Sequence, residues 1–336
     1  MSELVLLGAA PLSGQLSTET LELVGASAAT ARSERLVQRA AALDCGVLIV
    51  GEPGVDLSGV AREMHLRGRG STAAFVIVDC GAGPGTQLER RLFGTRAALA
   101  PADLEAVSAD SRVAAARGGT LFLQHVSELP AGIQARLARI LRDGEIQIGG
   151  ARVAFDARVV ASSPPGIDDD VHEHRFRPEL YRRLAAARID LPPLRDRADD
   201  VGCLAERILA EVCAAKNAAA RRFTQPALAL LAALNWPGNL AELRAVVARV
   251  AAACGEPVIP IERIVPALQL KNAPAPFAPL GKLRDARLRF ERDYIAAVLQ
   301  HHGWRMNDAA QTLGIQRPNL YRKARQLGIP ITRITD

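Results

Sequence analysis

The chain has 336 residues, 49% of them hydrophobic and only 4% aromatic, which is enough for two or three domains with cores of Ala, Leu, Val and Ile. No apolar run approaches the ~18 residues of a membrane span. The amino terminus shows no basic leader, and the five cysteines (Cys45, Cys80, Cys203, Cys213, Cys254) are scattered, which argues against a membrane, secreted or disulfide-framed protein and points to the cytoplasm. The net charge is +6, and all of it falls after residue 280, where eleven Lys/Arg face five Asp/Glu, so a basic carboxy-terminal unit suited to a polyanion follows a neutral body.

Residues 1–20 mix Ser, Thr, Gly and Leu and read as a loose arm. From 21 to about 195, short apolar runs alternate with helical patterns. The runs "GVLIV" (46–50), "AFVIVDC" (74–80), "GTLFLQHV" (119–126) and "ARVVASS" (157–163) predict strands; 28–43, 58–66, 86–93, 130–142 and 177–186 predict helices. Continuous apolar strands separated by helices indicate a parallel sheet covered on both faces. The stretch "GVLIVGEPGVDLSGVAREMH" adds a Gly-rich turn between a strand and a helix, the layout of a phosphate-binding loop.

"LPPLRDRADD" (191–200) breaks this pattern, and the residues from 196 to 270 read as a small helical subdomain, with Thr224 as an N-cap and Pro226 in a first turn. "KNAPAPFAPLG" (271–281) reads as a semi-rigid linker. The last unit, 282–336, opens with a long amphipathic helix. A short helix ending at Gly314 follows, and then a third helix with Pro318 in its first turn and Gly328 after its end. Two short helices about a Gly-containing turn form a helix-turn-helix. Ala309, Ala310, Leu313, Ile315, Leu320 and Leu327 supply its apolar framework. Gln316, Arg317, Asn319, Tyr321, Arg322, Lys323 and Arg325 lie along its second helix. Arg pairs with guanine and Asn with adenine, while Lys, Arg and Tyr also hold phosphates. Arg317 and Asn319 are therefore expected at base edges, and Arg322, Lys323 and Arg305 at phosphates of double-stranded DNA. "HEH" (172–174) has no third ligand at a regular spacing, so no metal site is expected.

"GGTLFLQHVSELPAGIQARLARILRDGEIQIGG", "FRPELYRRL", "LPPLRDRADDV" and "NWPGNLAELR" together resemble the AAA+ domain of bacterial enhancer-binding proteins, the activators of sigma-54 RNA polymerase. "DAAQTLGIQRPNLYRKARQLGI" resembles the Fis-type helix-turn-helix of the same family. The resemblance covers about residues 22–329. It implies an α/β AAA+ parallel sheet with helices on both faces, a helical lid and an all-α DNA-binding domain. It also implies an ATP-driven ring that remodels polymerase through a "GAFTGA" loop, and dimerisation through the long helix, here by Leu283, Phe290, Tyr294 and Val298.

Position by position the chain departs from that family. Gly51, Glu52 and Gly54 match "GESGTGK", but Asp56 and Leu57 stand where the loop has Gly and Lys. Gln124 and His125 replace the Asp and Glu of "LFLDE". Ser163 and Pro164 end a strand that reads "AATN" in relatives, and Ala241 replaces the Arg of "WPGNVREL". Between "LFG" and "GGTLFL" the chain reads "TRAALAPADLEAVSADSRVAAAR", without "GAFTGA". Leu57 brings no charge to a triphosphate, Asp56 repels it, and Gln124 offers Mg²⁺ no anionic oxygen. The expectation is therefore a cytoplasmic DNA-binding regulator that is not an enzyme and takes neither ATP nor Mg²⁺. It would act as a repressor or on ordinary RNA polymerase, as a homodimer or higher oligomer, with the degenerate pocket open to some other ligand. Arg177 and Arg183 match the arginines that relatives insert into a neighbour's site. They leave open an inactive partner in a mixed ring with a related AAA+ regulator, while His125 leaves open a weak residual ATPase.

Overall fold

Alternation along four strands decides the architecture. In β1 (Val47–Val50), Val47 and Ile49 join one apolar cluster, while Leu48 and Val50 join another on the opposite face. In the computed structural model, which describes residues 20–68, 72–94, 104–272, Ile295, Leu299, 304–315 and 317–327, all four residues of β1 are buried. A strand apolar on both faces needs cover on both.

β2 (Phe75–Asp79), β4 (Thr120–Gln124), β7 (Arg158–Ser163) and β8 (Ala187–Asp190) complete a five-stranded parallel sheet in the order β2-β4-β7-β1-β8. One face is covered by α1 (Ala28–Ala41) and α2 (Leu57–Arg67). The other is covered by α3 (Gly85–Phe93), α4 (Arg112–Ala115), α5 (Ala131–Asp143), α6 (Ile167–His172) and α7 (Pro178–Leu184). The helix starts follow side-chain chemistry: Ser27 and Ser111 cap α1 and α4, and Asp56 caps α2.

Two features escaped the sequence reading. β8 is a four-residue edge strand in which only Ile189 is buried, too short to show a pattern. A second, three-stranded sheet joins β3 (Glu105–Val107), β5 (Glu145–Ile148) and β6 (Ala151–Ala154). Gly149 (φ 58°) and Gly150 (φ 89°) turn the β5–β6 hairpin, where adjacent positive φ angles favour a Gly pair.

The lid packs α8 (Val201–Ala215), α9 (Gln225–Ala232) and α10 (Asn239–Ala253) around Leu204, Ile208, Leu231, Leu243 and Val247, with α11 (Ile261–Asn272) following. The chain divides into two units, 1–268 and 269–336. In the second, Ile295, Leu299, Met306, Ala309, Ala310, Leu320 and Ala324 form a core, flanked by half-buried Leu313, Ile315 and Leu327. No helix among the described residues is long and apolar enough to cross a membrane. The arm 1–19 and most of the linker lie outside the described residues, as do Leu283, Phe290, Tyr294 and Val298 of the expected dimer seam.

Candidate nucleotide cleft and nucleic-acid interface

The Gly-rich turn sits at the carboxyl end of β1, the edge of a parallel sheet where ligands bind in open α/β folds. Gly51 donates to Ser163 O of β7 at 3.2 Å. Gly54 has φ +87°, and a Cβ there would overlap the Gly238 carbonyl of the lid; its own carbonyl accepts from Ala241 N at 3.0 Å. The loop therefore passes tightly beneath the start of α10, and only glycine fits.

Asp56 stands at the amino end of α2. Its Oδ1 accepts from Gly59 N at 2.9 Å, and its backbone N donates to Glu22 Oε1 at 2.7 Å. A carboxylate thus lies where a helix amino terminus attracts anions. Leu57 turns its half-buried side chain into the apolar cluster of Val55, Val60 and Phe122. At the end of β4, the Gln124 amide donates to the Ser58 hydroxyl. His125 adopts a left-handed backbone (φ 52°, ψ 50°), unusual for a non-glycine residue, and its Nδ1 lies 3.0 Å from Asp79 Oδ1. Asp79 also accepts from Gly81 N, and the His125 hydrogen bond foremost holds its carboxyl below the usual range. Ser163 is buried, with its hydroxyl donating to Pro164 O at 2.9 Å. The side chains therefore match a Mg²⁺ triphosphate poorly at the positions of Asp56, Leu57 and Gln124. The strand–turn–helix path is kept, with the N–H groups of Val55, Asp56, Leu57 and Gly59 bonded within the chain, to Glu52 O, Glu22 Oε1, Val55 O and Asp56 Oδ1. No group of three His, Cys, Asp or Glu among the described residues is placed to hold a metal ion.

The sequence reading missed the polar clamp between this loop and the lid. Arg195 makes a paired contact with Glu52, at 2.7 Å and 2.6 Å. Asn239, fully buried with φ 48°, accepts from Leu194 N at 2.8 Å and donates to Pro53 O at 2.9 Å. Arg197 and Glu22, both buried, form an ion pair, and Arg197 also donates to Glu22 O at 2.8 Å. Asp200 accepts from Ala26 N (2.8 Å), Ser27 N (2.9 Å), the Ser27 hydroxyl and the Thr30 hydroxyl (2.6 Å). Burial works to raise the Asp200 pKa, but these donors outweigh it and hold the carboxyl below its ordinary value. The run "LPPLRDRADD" held the available signal, since five charged residues beside two prolines are costly to bury unless partnered.

Of the two finger-like arginines, Arg177 is exposed at the start of α7. Arg183 is half-buried and donates through Nη1 to Leu141 O at 2.9 Å, near the carboxyl end of α5. That contact gives Arg183 a role within its own chain, since cations near helix carboxyl termini are favoured.

In the second unit, the helix Met306–Thr312 leads through Gly314 (φ 64°) to the helix Arg317–Gln326. Leu320 and Ala324 face inward, while Arg317, Asn319, Tyr321, Arg322 and Arg325 are exposed and Lys323 is half-buried. Arg305 is exposed at the amino end of the first of these helices. Gln316 lies outside the described residues. Of the expected DNA-contacting residues, Arg305, Arg317, Asn319, Tyr321 and Arg322 are exposed and Lys323 is half-buried, around an apolar framework.

Comparison with known proteins accounts for all of these parts. The sigma-54 interaction domain family matches residues 23–190, the AAA+ ATPase lid domain 195–277, and the Fis-family bacterial regulatory protein 287–327. The DNA-binding transcriptional regulator NtrC of Azospirillum brasilense is 32% identical over 97% of this chain and 73% of its own length. The chain belongs to the sigma-54 interaction domain family, the bacterial enhancer-binding proteins. The alginate biosynthesis regulator AlgB of Pseudomonas putida is 34% identical over 87% of the chain, and the nitric oxide reductase regulator NorR2 of Cupriavidus necator is 35% identical over 91%. The chain spans 64% and 63% of the lengths of those two relatives. Among solved structures, NtrX of Brucella abortus in complex with ADP aligns over 92% of this chain and 70% of its own, with a TM-score of 0.65 and 27% identity. The same protein in complex with ATP gives 0.64 and 28% over 93% and 70%.

Two expectations are corrected by this membership. The chain was expected not to be an enzyme and to take no ATP or Mg²⁺, yet its family is one of AAA+ ATPases and its structural neighbour NtrX holds ADP and ATP. The physical reason is that a nucleotide loop is defined by its strand–turn–helix path as well as by the side chains along it. The backbone of a turn and a helix amino terminus supplies much of a phosphate site, so departures at side chains alone do not decide whether a family member binds nucleotide. This enhancer-binding family member keeps the strand–turn–helix path of that loop, with Gly51 and Gly54 in place beneath the lid.

Proposed function

We propose that this family member is a DNA-binding transcription regulator that acts on promoters without the sigma-54 contact its relatives' family is built around. The outward face of the helix Arg317–Gln326 carries the proposal. Six exposed residues, among them three arginines and one asparagine, sit on a helix whose Leu320 and Ala324 are packed, in the part of the chain that holds the whole basic excess. A helix of this kind lies in the major groove with its amino-terminal residues at base edges. Phosphate contacts fix its register and base contacts give it sequence preference. On this reading Arg317 and Asn319 touch bases, while Arg322, Lys323 and Arg305 hold phosphates.

Independence from sigma-54 is supported by the segment from 95 to 117, "TRAALAPADLEAVSADSRVAAAR", which offers no "GAFTGA". Residues 95–103 of it lie outside the described residues; the remainder forms β3 and α4. The adenine nucleotide cleft and the lid clamp then serve to couple the state of the AAA+ unit to assembly on DNA.

Transcription from a bound promoter, reconstituted with polymerase carrying either sigma-54 or the housekeeping sigma factor, tests this reading. The protein is expected to change output only with the housekeeping factor. Stimulation confined to sigma-54 polymerase would sink the proposal. Genome-wide mapping of bound sites gives a second readout, with sites overlapping ordinary promoters expected.

A further inference from the structure

The Gly-rich loop brings no cation of its own. Residues 51–57 read "GEPGVDL", with two carboxylates and no Lys or Arg, and Ala241, whose N–H bonds to Gly54 O, adds none from the lid. Two arginines of the short helical segment Leu194–Asp200, which leads into α8, reach toward it instead. Arg197 is locked in place. It pairs with Glu22, both side chains are 1% exposed, and Glu22 Oε1 accepts from Asp56 N at 2.7 Å. Arg195 is open to water. Its two Nη atoms donate to the two Glu52 carboxylate oxygens at 2.7 Å and 2.6 Å, with 44% of the Arg195 side chain and 30% of the Glu52 side chain exposed. Glu52 also lies 3.5 Å from Asn239 Nδ2. The Arg195 hydrogen bonds foremost hold the Glu52 carboxyl below its ordinary value, so the pair is fully charged at neutral pH.

An ion pair open to water contributes little net stability and exchanges readily. A terminal phosphate carries more negative charge than a carboxylate and takes a guanidinium in the same paired geometry. Ligands of open α/β folds bind at this edge of the sheet. We propose that Arg195 is the phosphate-binding cation of this cleft: it leaves Glu52 for the terminal phosphate of an adenine nucleotide, and in doing so releases the loop from one of its ties to the lid. This inference rests on the adenine nucleotide reading of the cleft given above and names the residue that answers to the ligand.

The test uses full-length protein and ADP, with affinity read by calorimetry for wild type, Arg195→Gln, Glu52→Gln and the double variant. Glu52→Gln removes the competing charge and is expected to tighten ADP about two- to five-fold, the scale of an exposed ion pair. Arg195→Gln is expected to weaken ADP about tenfold, the scale of a charged hydrogen bond. The double variant is expected to match Arg195→Gln, because Glu52 acts only through Arg195. A gain in affinity cannot come from a chain that fails to fold, so Glu52→Gln separates the exchange from general damage to the loop. A Glu52→Gln chain that binds ADP no tighter than wild type overturns the inference, as does an Arg195→Gln chain that binds it equally well. A gain that persists in the double variant also overturns it, by assigning the effect to the lost carboxylate alone. ADP binding by none of the four chains overturns the nucleotide reading of the cleft itself, an outcome distinct from the others.

Discussion

Single carboxylates decide how the body of this protein is tied to its lid. Asp200 gathers four donors from the start of α1, two backbone and two hydroxyl. Asp200→Ala leaves those groups without their acceptor and is expected to cost about 3 kcal/mol in urea unfolding. The pH dependence follows from the lowered pKa. The folded state binds its proton less readily than the unfolded state, so the stabilisation is complete above the ordinary carboxylate value of about 3.9 and is lost as pH falls through the lower folded value. Urea midpoints of wild type and Asp200→Asn should therefore differ at neutral pH and converge in acid; a constant gap would refute the assignment. Arg197 and Glu22 make a second case. Arg197→Met strands a buried carboxylate and is expected to cost about 3–5 kcal/mol, while Glu22→Leu combined with Arg197→Met should recover part of that loss. A double variant no more stable than the single one would show that the pair is not coupled.

Elements meet at the loop beneath α10. Asn239 is the pin, since one side chain satisfies Leu194 N on one side and Pro53 O on the other. Asn239→Leu keeps the volume and removes both bonds, with an expected loss of about 2 kcal/mol. Hydrogen exchange should then quicken at Leu194 and across the start of α10, while the strand amides of β4 and β7 keep their protection. Uniform acceleration over the sheet would mean that the clamp belongs to the global core and not to a local hinge. Much of this architecture was legible in the sequence. Four of the five sheet strands and all five helices expected in the α/β region were placed within a few residues, because apolar runs and helical spacing are local signals. β8 and the β3-β5-β6 sheet were not, because strands of three or four residues with at most one buried residue carry too little pattern to register.

At the scale of the whole molecule, charge is partitioned between a neutral body and a basic carboxy-terminal unit. DNA affinity should fall linearly with the logarithm of salt concentration, and Arg322→Gln should weaken binding to all sequences alike while lowering that slope by about 1. Arg317→Ala should instead relax preference at one base pair by about 1–3 kcal/mol. Equal effects of the two changes on every duplex would contradict the division between base and phosphate contacts. The cleft shows what residue-level reading overlooks. Asp56, Leu57, Gln124 and His125 lie at the loop and strand ends, but their substitution does not by itself establish the removal of nucleotide chemistry from a fold whose family and neighbours carry it.

The sequence by itself determined the parallel sheet, the helical lid, the helix-turn-helix framework and the position of the Gly-rich turn. Each of these is encoded in contiguous residues, where periodicity, caps and glycines act over a few positions. Only the tertiary structure decided which charges are partnered. Glu22 meets Arg197 across 175 residues of chain, and Thr30 meets Asp200 across 170. Leu194 meets Asn239 across 45. Local composition cannot specify such pairs, because a polar side chain has many partners available in sequence and acquires one only when packing excludes water and brings distant backbone within hydrogen-bond reach.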